Sequence, residues 1–157
     1  MQLLADKYAP KTLDEWLDNK QQIKELLTWI TSDCDWLVIS GESGCGKSEL
    51  INLIASHTGS SIYTVPSNQQ RTQLRLNQYI KDIKHEHGLF VLDDFELFFL
   101  VDHINLCELF DTMSSLESQM RKIIVINSSG LSKIEKYVRS VRTIIFQRPN
   151  ADVVFSK

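Results

Sequence analysis

The stretch Gly41-Glu42-Ser43-Gly44-Cys45-Gly46-Lys47-Ser48 constrains this chain most, because it fits the phosphate-binding pattern G-x-x-x-x-G-K-[ST]. Its surroundings agree with it. The apolar run Trp36-Leu37-Val38-Ile39-Ser40 leads into the loop, and Leu50-Ile51 then Leu53-Ile54 leave it with helical periodicity. A strand that delivers a Gly-rich loop onto a helix N-terminus is the context this motif requires. Gly41, Gly44 and Gly46 lack a Cβ, so the backbone can curl its N–H groups around a polyphosphate. A helix beginning near Lys47 adds unpaired N–H groups and the positive end of its dipole. Lys47 supplies a point charge toward β- and γ-phosphates, and the Ser48 hydroxyl can ligate Mg²⁺. Glu42, Ser43 and Cys45 complete the loop backbone.

A chain of 157 residues is long enough to bury a core of its own. Its net charge of -3 argues against a strongly basic nucleic-acid binder. The charge is unevenly placed. From Glu86 to Met120 there is no Lys or Arg, whereas Arg121, Lys122, Lys133, Lys136, Arg139, Arg142 and Arg148 face only Glu135. That tract could meet nucleic acid or an acidic partner, or form a solvated surface. Cys34, Cys45 and Cys107 have no paired spacing, which suggests reduced thiols and an intracellular setting. No stretch is long enough to cross a bilayer, and Asp6 and Lys7 make the N-terminus unlike a signal peptide. The apolar run Phe95 to Val101, interrupted by Glu96, reads as buried core.

In chain order, Thr12 with Glu15 forms a capping box for a short helix through Leu17. Asn19 caps a second, with Ile23, Leu26, Leu27 and Ile30 on one face. The helix after the phosphate loop stops near His57, with Gly59 as terminator. Ser61 to Val65 alternates as a strand ended by Pro66, and Gln69 to Lys84 carries a helical stripe. Leu89 to Leu92 is a buried strand, and Leu106, Leu109, Phe110 and Met113 mark another helix. Lys122 to Ile126 is a further strand, Ser132 with Glu135 caps a short helix, and Thr143 to Phe146 closes the set. Strands alternating with helices predict an α/β fold with a doubly wound parallel sheet. With no repeat or linker in view, one domain over 1–157 is expected.

Asp93 and Asp94 emerge from the run Leu89-Phe90-Val91-Leu92, at the sheet end where ligands of open α/β folds bind. Beside a phosphate loop this is a Walker B arrangement. Asp93 would hold Mg²⁺ and Asp94 would orient or activate the attacking water. Asn127 ends Lys122 to Ile126 in the same way and could hydrogen-bond a γ-phosphate or that water. His85 and His87 sit among polar residues and read as an exposed loop. Trp16, Trp29 and Trp36 read as packing.

With those residues in place, the chain resembles an AAA+ ATPase of the clamp-loader group. Leu4-Ala5-Asp6-Lys7-Tyr8-Ala9-Pro10-Lys11-Thr12-Leu13 is similar to the Trp-Val-Asp-Lys-Tyr-x-Pro-x-x-Leu opening of clamp-loader subunits. Asp93-Asp94-Phe95-Glu96 stands where that family has Asp-Glu-Val-Asp, and Asn127 falls at its sensor 1 position. The end, through Phe146-Gln147-Arg148-Pro149, resembles large subunits of replication factor C and their checkpoint relatives. The resemblance implies a P-loop NTPase core with a mostly parallel five-stranded sheet, using ATP and Mg²⁺. It divides the chain into an adenine-side segment and helix (1–35), a core (36–149) and a tail (150–157), with Tyr8 and Pro10 over the adenine. It also implies hetero-oligomeric partners of clamp-loader type, indirect engagement of a sliding clamp and primer-template DNA, and a nuclear or other replication-site location.

Three departures qualify that expectation. Asp94 is one methylene shorter than the catalytic Glu of the family. No Ser-Arg-Cys finger motif is present, and Ser140-Val141-Arg142 is a poor echo of it. The helical lid and collar of the family are not expected within these residues. Hydrolysis is therefore expected to be slow and partner-dependent. A nucleotide-dependent binding module, or a helicase loader or initiator of the same superfamily, are the alternatives.

Overall fold

The structure, a computed structural model, describes residues 9–16, 18–65, 73–100, 105–116, 119–137 and 141–148. Among the described residues five strands form one sheet: β1 (Trp36–Gly41), β2 (Ile62–Thr64), β3 (Gly88–Leu92), β4 (Met120–Ile126) and β5 (Arg142–Phe146). The described helices are α1 (Lys20–Ile30), α2 (Lys47–Thr58), α3 (Gln73–Asp82), α4 (Leu106–Ser114) and α5 (Leu131–Ile134). The order across the sheet is β2-β3-β4-β1-β5, and every pairing is parallel.

The three inner strands are apolar runs because both of their faces are covered. Alternate residues serve opposite layers. Leu37, Ile39, Leu89, Val91, Ile123 and Val125 pack against Ile23, Leu26 and Trp29 of α1 and Leu50, Ile51 and Ile54 of α2. Val38, Phe90, Leu92, Ile124 and Ile126 pack on the other side against Leu76 and Ile80 of α3 and Leu109, Phe110 and Met113 of α4. The α1 stripe is centred one position away from the expected one: Trp29 is fully buried, while Leu27 and Ile30 are only partly so.

Helix ends show where local reading and tertiary structure part. Gly59 terminates α2 as expected, its N–H reaching back to Ser56 O at 3.4 Å. Thr12 makes no side-chain cap, and only a 3₁₀ turn, Leu13–Glu15, forms where a helix was expected. Glu15 instead accepts from the Lys11 N–H at 2.7 Å. Ser132 lies inside α5 and does not cap it. The chain coils directly after β4 through the 3₁₀ turn Ser128–Gly130, where a Cβ on Gly130 would come within 2.8 Å of the Ile126 side chain. Phe95–Leu100 is also 3₁₀, so it is only half core. Three residues per turn stack Phe95 and Phe98 inward and leave Leu97 and Leu100 36% and 76% exposed. Gln69, Pro66, Val101 and Leu17 lie outside the described residues.

Among the described residues, members of the basic tract are engaged at separate places. Arg121 donates to Cys34 O at 2.9 Å and lies over the Trp29 ring. Lys133 and Lys136 lie over Phe99 and Tyr137. Lys122 is 2% exposed, 3.9 Å from Asp35. Burial lowers the Lys122 pKa from the ordinary 10.5, partly offset by the Asp35 charge, with Arg121 adding to the lowering. Its folded pKa therefore lies below its unfolded one. Across the alkaline window beneath 10.5 the unfolded chain binds more protons, so this residue makes stability rise with pH there. Lys122→Met keeps the volume and removes the buried charge. It is expected to hold stability at neutral pH within about 1 kcal/mol and to remove that alkaline rise. Urea midpoints at neutral and alkaline pH check both.

Candidate functional site

In a parallel sheet the carboxyl ends of β1, β3 and β4 lie at one edge. Register aligns them, with Ser40 opposite Ile126 and Leu92 opposite Ile124. The residues that follow are the phosphate loop, Asp93 and Asn127. They surround a hollow of about 220 Å³, with Ser43, Gly44, Gly46, Lys47 and Ser48 on one side and Asp93, Asp94 and Asn127 on the other. Glu49, in the first turn of α2, lines it too. A roomier hollow of about 670 Å³ lies between α1 and the C-terminal half of α2, away from these groups.

Two glycines are dictated by their surroundings. A Cβ on Gly41 would sit 2.7 Å from the Phe146 carbonyl oxygen, so β1 and β5 could not keep their spacing. Gly46 has φ 83°, and a Cβ there would meet the Trp16 indole at 2.8 Å. Trp16 thus packs against the phosphate loop itself, which sequence periodicity did not reveal.

Lys47 is only 9% exposed, and its Nζ donates to Gly41 O at 2.9 Å and Glu42 O at 2.8 Å. Cys45 is buried with its Sγ 3.8 Å from Lys47 Nζ. Glu42 and Ser43 are exposed. Ser48 Oγ donates to Asp93 Oδ2 at 2.5 Å, and the Asp94 N–H donates to Asp93 Oδ1 at 2.9 Å. A hydroxyl beside a carboxylate is the all-oxygen pair that suits Mg²⁺, which keeps most of its waters in such sites. Ser48 and Asp93 therefore fit the ion. Asp94 is exposed and has φ 48°, in the left-handed region that only a few non-glycine residues adopt. Asn127 is half-buried with an extended backbone.

Pro10 is half-buried and does not line the phosphate hollow, and Tyr8 lies outside the described residues. Arg142 opens β5 opposite Leu37, at the far end of the sheet from this site. His85 and His87 are exposed. Among the described residues no group of three His, Cys, Asp or Glu is placed to hold a metal, and no helix is long and apolar enough to cross a membrane.

Comparison with known proteins adds a family match, two relatives and one fold match. The protein family that matches is described as Rad17 P-loop domain, over residues 1–146. The chain is similar to a replication factor C large subunit of Methanococcus aeolicus, 28% identical over 57% of this chain and 21% of that protein. It is also similar to checkpoint protein rad17 of Schizosaccharomyces pombe, 31% identical over 49% of this chain and 14% of that protein. The chain thus spans about a fifth or less of these curated relatives. In fold it matches a chain from the solved structure titled "Structural Basis for Katanin Self-Assembly", with TM-score 0.67 and 16% identity over 90% of this chain and 55% of the other.

Proposed function

This chain belongs to the Rad17 P-loop domain family, with an AAA+ clamp-loader-like fold, and on that footing we propose that it is the ATP-binding core of a clamp-loader large-subunit-like ATPase acting in DNA replication or repair. The observation that carries the reading is the meeting of Lys47, Ser48, Asp93, Asp94 and Asn127, from three strand ends, around one hollow.

In this reading Lys47 exchanges two loop carbonyls for oxygens of the β- and γ-phosphates. The loop N–H groups and the start of α2 cradle the remaining charge. Ser48 and Asp93 would hold Mg²⁺, which when bound would supply positive charge against the phosphates. Asp94 accepts a proton from the attacking water, and Asn127 orients that water or the γ-phosphate. Tyr8 and Pro10 cover the adenine.

Further positive charge at the transition state comes in trans from a neighbouring subunit, as the resemblance to clamp loaders implies. A trans-acting finger of that kind is worth roughly 10³–10⁵ in rate. Hetero-oligomeric partners of clamp-loader type follow, with sliding clamp and primer-template DNA as the objects of the assembly. The setting is the nucleus or another site of DNA replication.

The shorter Asp94 also favours a second reading, a binding module that orders a partner surface on ATP and hydrolyses little. Calorimetric titration with Mg-ATP, followed by steady-state phosphate release, separates the possibilities. Tight binding with turnover on the order of 10⁻³ per second is expected of the chain alone. Turnover at many per second would overturn the dependence on partners, and absence of binding would overturn the site. Asp94→Glu is expected to raise turnover by about tenfold, since small displacements of reacting groups have large costs. No gain from Asp94→Glu, with partner binding intact on a slowly hydrolysed ATP analogue, would favour the binding module.

A further inference from the structure

The first half of the phosphate loop is held from a direction the motif does not specify. β5 pairs with β1 so that Phe146 lies opposite Gly41, which sets Gln147 and Arg148 beside Glu42 and Ser43. Asn19, 8% exposed and at φ 56°, spends its whole carboxamide on Gln147. Its Nδ2 donates to Gln147 O at 3.0 Å, and its Oδ1 accepts from the Gln147 N–H at 3.2 Å. One residue further on, Arg148 Nε lies 2.7 Å from Glu42 Oε2, and Arg148 Nη2 donates to Ser43 O at 3.4 Å. Glu42 is therefore gripped twice, through its carbonyl by Lys47 and through its carboxylate by Arg148.

The charges matter more than the contacts. Glu42 places a carboxylate on a loop whose ligand, on the reading above, is a polyanion. Left bare, that carboxylate would repel phosphate; paired with Arg148, part of that repulsion is offset. We propose that Glu42 and Arg148 form a charge clasp on the first half of the phosphate loop, with Arg148 a positioning residue that offsets a repulsion built into the loop. Asn19 anchors the clasp by fixing the backbone of Gln147. The inference rests on nucleotide being the ligand. Because linkage is reciprocal, nucleotide strengthens the hold on Arg148, and anything that draws Arg148 away from Glu42 weakens nucleotide binding.

Both side chains are well exposed, at 66% and 61%, so each effect is small and screened by salt. The test is titration of Mg-ATP into the unsubstituted chain, Arg148→Ala, Glu42→Gln, the double variant and Asn19→Ala, at low and high ionic strength. Arg148→Ala is expected to weaken binding by about two- to fivefold, and Glu42→Gln to tighten it by a similar factor. The double variant lies between them, Asn19→Ala shifts in the direction of Arg148→Ala, and the spread contracts at high salt. Opposite signs are the diagnostic, because a pair that only packed the loop would weaken binding from either side. Two single variants that weaken binding alike, or that leave it unchanged, overturn the clasp alone. Failure of the unsubstituted chain and of Glu42→Gln to bind overturns the nucleotide reading and the clasp with it.

Discussion

Lys47→Ala is expected to bind Mg-ATP at least about a hundredfold more weakly than the unsubstituted chain. The side chain supplies two charge-assisted hydrogen bonds even without ligand, to Gly41 O and Glu42 O. Transferred to phosphate oxygens, bonds of this kind are worth roughly 1.5–3 kcal/mol each. Stability should change far less. The substitution strips donors from two carbonyls, of which Glu42 is exposed to water, but it also removes a cation that is only 9% exposed. The two effects oppose, leaving about 1 kcal/mol or less. Thermal melts with and without nucleotide separate the roles. Ligand at a hundred times its Kd stabilises by about 2.7 kcal/mol, or about 5–10 °C for a domain of this size. That shift should vanish in Lys47→Ala while the ligand-free melt stays nearly in place. A retained shift would show that the phosphate loop is not where nucleotide binds.

Trp29→Ala is expected to cost about 3–5 kcal/mol, a large share of the roughly 5–15 kcal/mol that a domain has available. Trp29 is fully buried at the centre of the layer formed by α1, α2 and the sheet. Its Nε1 donates to Trp36 O at 3.0 Å, tying α1 to the first residue of β1. Arg121 covers the ring from β4. The Trp36 carbonyl keeps a weak donor in Cys34 Sγ at 3.3 Å, so most of the loss comes from the cavity. A urea titration should show the midpoint falling with the slope preserved. Trp29→Phe, which retains much of the volume, should recover more than half of the loss. A cost below about 1 kcal/mol for the alanine variant would mean that the layer closes over the gap.

The connection between this tryptophan and the nucleotide site runs through the sheet. Trp29 braces the start of β1, whose other end delivers Gly41 to the phosphate loop. Partial destabilisation should therefore loosen the loop before it abolishes the fold, and nucleotide should recover part of the lost stability by mass action.

Much of this architecture is legible in the chain itself. The inner strands announce themselves as apolar runs because both faces are covered. Gly59 ends α2 as its position predicts. Asp93 and Asn127 flank the same hollow as Lys47, because each follows a buried strand of a parallel sheet. Local reading failed at the caps, for a consistent reason. The Asn19 carboxamide makes no cap on α1 because two backbone bonds to Gln147 engage it instead. Thr12 caps nothing and the expected first helix shrinks to one turn, beside a Trp16 whose indole lies on Gly46. Phe95–Leu100 carries the apolar content of core, but its 3₁₀ pitch faces Leu97 and Leu100 outward.

By itself, the sequence determined the loop's residue pattern, the apolar character of the inner strands and the acids that follow β3. These rest on residue type and on periodicities a few residues long. Only the tertiary structure decided the order β2-β3-β4-β1-β5 and what that order brings together. It set β5 beside β1, and so Arg148 on Glu42 and Asn19 on Gln147, contacts that span 105 residues (Arg148 to Ser43) and 128 residues. Register between distant strands is settled by how both faces of the whole sheet are covered, and no short window of sequence carries that information.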